Sequence, residues 1–123
     1  MIFNYFRKRG KSFVYAFSGI RDVINGEPNA KIHLFFTAAA IFCGIFFHIS
    51  KIEWCLISIV IGFVWSAEIF NTSIENTVDL YTLEYHEKAR RAKDMAAGAV
   101  LIAAATSVVV GLIIFLPKFL SIF

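Results

Sequence analysis

The sequence predicts an all-α integral membrane domain, with one amphipathic surface helix followed by three transmembrane helices. Three observations predict it. Of the 123 residues, 59% are hydrophobic and only 17% charged, against about 25% charged in a typical soluble domain. The mean hydropathy is +0.70, and so small a soluble globule could not hide that much apolar surface. The charges that remain are segregated, leaving Ile32 to Ser50 and Met95 to Pro117 without any. A disordered chain is excluded, because it needs low hydrophobicity and high net charge. A disulfide scaffold is excluded too, because Cys43 and Cys55 can form one bridge at most.

The surface helix is expected over about residues 4–26. Arg7, Lys8, Arg9 and Lys11 form a basic cluster, and Phe13, Phe17, Ile20 and Ile24 then recur at helical spacing. Lys11, Ser18, Arg21, Asp22 and Asn25 lie between them, which gives the two-faced pattern of a helix lying on a membrane. A signal peptide fits less well. The run from Phe13 to Ile20 is short, is interrupted by Ser18, and lacks a small-x-small cleavage site. Asn25 to Asn29, with Gly26 and Pro28, breaks the helix.

The first span is expected over 31–50. Its nineteen uncharged residues reach roughly 28 Å, close to a bilayer core of about 30 Å. Ile49 to Glu53 reads as a tight turn. The second span, over 52–81, has a lipid-compatible first half from Trp54 to Ala67 and acids in its second half. The third covers 92–118, with twenty-three uncharged residues inside it. Gly98 and the alanines around it give that helix a small-residue face suited to close packing. Six of twelve Lys and Arg precede the first span, and Lys88, Arg90, Arg91 and Lys93 lie between the second and third. The positive-inside rule then puts the N-terminus in the cytoplasm and the C-terminus outside. Thr82 to Lys93 becomes a cytoplasmic connector.

The chemistry gathers on the second span. Glu68, Asn71, Glu75 and Asp79 stand at offsets 0, 3, 7 and 11, within an arc of about 80° at about 100° per residue. A charge inside the membrane costs about 2.5–3.5 kcal/mol on the gentlest scale. One reading is a helix end that has left the bilayer, with its acids solvated or paired to Lys88, Arg90 or Arg91. That reading accounts for Asp79 well and Glu68 poorly, since Trp65, Ile69 and Phe70 flank Glu68. The other reading is a polar site at the cytoplasmic interface, where carboxylates and an amide suit a divalent cation. Lys93 can offer a point charge to phosphate, and Asp94 suits the dipole of a helix start. Returning the third span beside the second brings both level with Glu75 and Asp79, and Glu27 lies at the same interface. Carboxylates and a lysine at one level suggest phosphoryl transfer, which is mostly positioning and electrostatic stabilisation.

Other apparent motifs carry less. Gly10-Lys11-Ser12 ends like a phosphate-binding loop, but Tyr5 stands where a Gly is required. Asn71-Thr72-Ser73 fits a glycosylation sequon but lies on the membrane helix. Cys43 and Cys55, in apolar surroundings and without CxxC spacing, read as ordinary buried residues. His33 and His48, at the two ends of the first span, read as interfacial anchors. His86, inside the polar connector, stays open between a functional and a solvated role.

The run Glu68-Ile-Phe-Asn71-Thr-Ser-Ile-Glu75-Asn-Thr-Val78-Asp79, then Glu84-Tyr85-His86, then Ala92-Lys93-Asp94-Met95-Ala96-Ala97-Gly98 resembles the prokaryotic diacylglycerol kinase family. The resemblance extends upstream to Gly19-Ile20-Arg21 and Glu27. Glu27-Pro28-Asn29, Ile32-His33, Ile49-Ser50, Glu53-Trp54 and Ile114 to Lys118 look like its Gram-positive branch, known mainly for undecaprenol kinases.

The resemblance implies a homotrimer in the plasma (inner) membrane, with Mg²⁺ as cofactor and ATP as donor. The acceptor would be a lipid alcohol, undecaprenol first and diacylglycerol as the alternative. Carried over by position, Glu68 is the catalytic base that meets the lipid hydroxyl, and Asn71 supports it. Glu27 and Glu75 hold Mg²⁺ against the phosphates. Lys8, Tyr15, Asp79, Glu84, Tyr85, His86, Lys93 and Asp94 complete the nucleotide site, and no nucleic acid partner is expected. A non-enzymatic membrane subunit, lining a cation pathway or binding a partner, is the alternative of another class.

Overall fold

The computed structural model describes the backbone of residues 2–122 and the side chains of residues 8–122. The side chain of Arg7, part of the basic cluster, lies outside the described residues. Four helices follow one another: α1 (Ile2–Gly26), α2 (Pro28–Phe46), α3 (Lys51–Tyr81) and α4 (Glu87–Leu120). The last three are long and apolar enough to cross a membrane. At about 1.5 Å per residue α3 and α4 reach roughly 47 and 51 Å, so one end of each extends well beyond a bilayer core of about 30 Å.

Local chemistry sets the boundaries. The break between α1 and α2 narrows to Glu27, whose N–H donates to the Val23 carbonyl at 3.0 Å. Pro28 opens α2, where its missing N–H costs nothing. The turn after α2 is a Schellman motif. The Ile49 N–H donates to the Gly44 carbonyl at 3.1 Å and the His48 N–H to the Ile45 carbonyl at 3.2 Å. His48 takes the left-handed position, with φ 50°, where glycine is usual. Ser50 then caps α3 in a capping box. Its hydroxyl accepts from the Glu53 N–H at 3.2 Å, and Glu53 accepts from the Ser50 N–H at 2.7 Å.

The connector before α4 is shorter than expected, because the helix already starts at Glu87. His86 Nδ1 accepts from the Lys88 N–H at 3.2 Å, which makes His86 the N-cap. Arg90 pairs with Glu87 at 2.7 Å and also with Asp94, the spacings at which helix side chains meet.

The antiparallel α3–α4 pair forms the main contact, with α2 against α3 and α1 touching both α2 and α3. Ile49, Ile57 and Ile114 form the core at the α2–α3 turn, with Phe47, Trp54 and Phe115 packed around it. Lys118 at the far end of α4 reaches Glu53 at 3.1 Å. Gly44 lets the Trp54 ring lie directly on α2, since an added Cβ would sit 2.6 Å from it. The subunit exposes 9641 Å², against roughly 6,700 Å² for a compact soluble monomer of this mass. Leu101, Ile102, Ile113, Phe35 and Phe42 are among the apolar side chains left exposed, as lipid-facing helices require.

Candidate functional site at the charged end of the helix pair

The face of α3 that is buried in the bundle continues straight into the polar stripe. Ile57, Val60 and Val64 are buried, and Glu68, Asn71 and Thr72 follow them along the same helix. Burial then falls off: Glu68 is 1% exposed and Asn71 7%, Glu75 is half-buried and Asp79 exposed. The stripe therefore runs from the interior of the bundle out to its charged end.

Each member has a distinct partner. Glu68 Oε2 faces His33 Nε2 of α2 at 3.5 Å and accepts no hydrogen bond. Asn71 Nδ2 donates to Glu75 Oε1 at 3.1 Å, while Asn71 Oδ1 is buried without a partner. Lys93 of α4 pairs with Asp79. That bond follows from the antiparallel connection, since Asp79 lies seven residues before His86 and Lys93 seven after it. Asp94 sits in the second turn of α4 and is bound by Arg90, so it does not cap the helix. Glu84 offers its N–H to Thr82 Oγ1 at 3.1 Å. The Tyr85 hydroxyl donates to Glu87 at 2.8 Å.

Glu27, the N-cap of α2, makes no side-chain capping bond, which leaves its carboxylate available. Glu27 and Glu75 both act on Glu68 through space. Lys8 and Tyr15 are exposed on α1, and among the described residues no hydrogen bond joins either side chain to α3 or α4. The structure thus brings Glu68, Asn71, Glu75, Asp79 and Lys93 to one end of the bundle.

Among the described residues no three His, Cys, Asp or Glu side chains converge as a ready-made metal cage. The available donors still fit Mg²⁺. That ion keeps several waters and takes one or two carboxylates together with substrate phosphates. Glu27, Glu75 and the unpartnered Asn71 Oδ1 are all oxygen donors of that kind. Beside Asn71, an apolar groove of about 250 Å³ opens between α3 and α4, lined in part by Phe63, Ala67, Phe70, Ile74 and Ala99.

Two partners of this site are absent from the expected set. His33, expected as an interfacial anchor, faces the buried acid, and Trp65 Nε1 donates to Thr37 Oγ1 at 3.1 Å one turn further along. A signal for this exists in the sequence. His33 lies seventeen residues before Ser50 and Glu68 eighteen after it, so a tight turn at Ser50 sets the two side by side.

A family model described as prokaryotic diacylglycerol kinase matches residues 14–115. The chain belongs to that family. It is a multi-pass membrane protein and a lipid kinase. It is 46% identical over 108 residues to an undecaprenol kinase of Bacillus subtilis, covering 88% of each chain. A diacylglycerol kinase of Synechocystis is 38% identical over 112 residues, covering 90% of this chain and 64% of the relative. A diacylglycerol kinase of Escherichia coli is 31% identical over 99 residues, covering 80% and 81%. The matched stretch contains every expected site residue of the kinase except Lys8.

Proposed function

We propose that this lipid kinase transfers the γ-phosphoryl group of MgATP to undecaprenol at the charged end of the α3–α4 pair. The observation that carries the proposal is Glu68. It is a carboxylate 1% exposed, at the inner end of an apolar helix face and one turn from the Asn71–Glu75 pair. Such a group is expensive to bury and well placed to receive a proton from an alcohol entering from the bilayer.

In this reading the lipid hydroxyl oxygen attacks the γ-phosphorus, the bond to the β–γ bridging oxygen breaks, and ADP leaves. The hydroxyl proton passes to Glu68 as general base. Asn71 holds Glu75 in place, and Glu27 and Glu75 would hold Mg²⁺. When bound, the ion would neutralise charge on the transferring phosphoryl group. Lys93, steadied by Asp79, meets the phosphates as a point charge. Glu84, Tyr85, His86 and Asp94 line the nucleotide side, and Lys8 and Tyr15 of α1 contribute to it. The groove beside Asn71 offers an apolar lane for the lipid chain.

The subunit works as a homotrimer in the plasma membrane, with α1 lying on the cytoplasmic surface by its apolar stripe, and the C-terminus outside. The large exposed surface and the small-residue face of α4 support the assembly. The lysine and arginine distribution supports the orientation.

Undecaprenol is favoured by the 46% identity to the Bacillus enzyme. The diacylglycerol reading rests on more distant relatives. Side-by-side kinetics decide between them, because specificity is a ratio of kcat/KM values. The higher value is expected on undecaprenol, and a higher value on diacylglycerol would reverse the assignment.

A further inference from the structure

We propose that His33 is the positioning residue of the general base, a role that rests on Glu68 acting as that base. Among the described residues Glu68 is the largest fully buried side chain, and its Oε2 accepts no hydrogen bond. Three groups act on it through space: Glu27 at the start of α2, Glu75 two turns along α3, and His33, which faces it directly. An ionised carboxylate taken out of water needs a compensating partner. Of these three groups only His33 can donate to it.

The imidazole is held in place for this. His33 Nε2 stands 3.5 Å from Glu68 Oε2, and its ring meets the Trp65 ring edge-on, with centroids 6.3 Å apart and planes at 69°. Trp65 is itself tied to α2 through Thr37 at 3.1 Å. His33 and Thr37 lie one turn apart on α2, and Trp65 and Glu68 lie one turn apart on α3. The two helices are thus joined by two polar contacts at neighbouring levels.

At 3.5 Å the contact is longer than a hydrogen bond, and catalytic hydrogen bonds of ligand-free enzymes commonly tighten only in the working complex. Closure by about half an ångström would bring an imidazole N–H onto Oε2. That bond fixes one carboxylate oxygen and leaves the other to receive the lipid proton. His33 touches neither lipid nor nucleotide in this arrangement and acts through Glu68 alone.

The test compares the purified full-length protein with His33→Leu and His33→Gln in mixed micelles containing undecaprenol and MgATP. Glutamine keeps an N–H at similar reach, and leucine removes it. His33→Leu is expected to lower kcat by about tenfold or more, as loss of base positioning would. KM for ATP is expected to stay within about twofold, because nucleotide binding is untouched. His33→Gln is expected to recover most of the lost kcat.

Three results would overturn the proposal. They are wild-type kcat in His33→Leu, equal losses in both variants, or a loss confined to KM. If the leucine variant fails to elute as a defined oligomer, His33→Asn replaces it with the same expectation, since its shorter amide falls short of Glu68. A wild-type protein inactive on every lipid alcohol would overturn the kinase reading itself and this proposal with it. Active wild type with an unaffected His33→Leu would overturn only the role of His33.

Discussion

Glu68 concentrates the argument at the scale of the residue. A carboxylate has no structural reason to end a buried Ile57–Val60–Val64 face, because an apolar side chain there would cost nothing to desolvate. The proposed role as general base accounts for its place. Glu68→Gln keeps the shape and removes the proposed base. General-base catalysis contributes typically about 10²–10⁴-fold, so turnover should fall by that order while nucleotide binding persists. Steady-state kinetics beside ATP-analogue titration measure both. Full turnover in Glu68→Gln would remove Glu68 from the role. The stripe of Glu68, Asn71, Glu75 and Asp79 was legible in the sequence, because carboxylates at helical spacing in an apolar run announce themselves. His33 was not, because a histidine near a span end looks the same whether it meets headgroups or a buried acid. Only the register across the turn separates the two.

At the scale of the element, the three membrane helices were legible from their charge-free runs, and their ends were less so. Ends depend on single hydrogen bonds that hydropathy does not register. Ser50 and Glu53 form a capping box whose spacing is a known signature, yet Glu53 on its own reads as an ordinary surface acid. It both caps the start of α3 and holds Lys118, so one side chain starts one helix and ties down another. Likewise α4 starts at Glu87, several residues before the expected span, with His86 as its cap.

The sharpest element-scale prediction concerns Gly44. An added methyl would meet the Trp54 ring at 2.6 and 2.8 Å, and that ring packs against the core of the turn. Gly44→Ala should therefore destabilise the α2–α3 hairpin by about 1–3 kcal/mol, the usual cost of overpacking. Thermal unfolding in detergent checks it, and an unchanged midpoint would show that Trp54 moves aside freely. The active end, far along both helices, should keep its KM for ATP in this variant.

The whole molecule is explained by its division of charge. Lysines and arginines cluster toward one side of the chain's hydropathy pattern, and most of the acids of the α3–α4 pair gather at one end of it, with Glu53 at the other. The isolated subunit leaves 9641 Å² exposed. A trimer would cover part of it, and native mass measurement in detergent should return three copies. A monomer with full activity would contradict the assembly. Bottom-up reasoning on one chain reaches the need for neighbours but not their number, because exposed apolar helix faces suit lipid and protein equally.

The central claim is phosphoryl transfer to a lipid alcohol. Its most direct test is to incubate the purified protein with γ-phosphate-labelled ATP, Mg²⁺ and undecaprenol, and to follow the label. Transfer of label into the lipid, dependent on both Mg²⁺ and the lipid, is the expected result. No labelled lipid with any alcohol tested, together with cation flux through the protein in liposomes, would contradict the account and favour a non-enzymatic ion pathway.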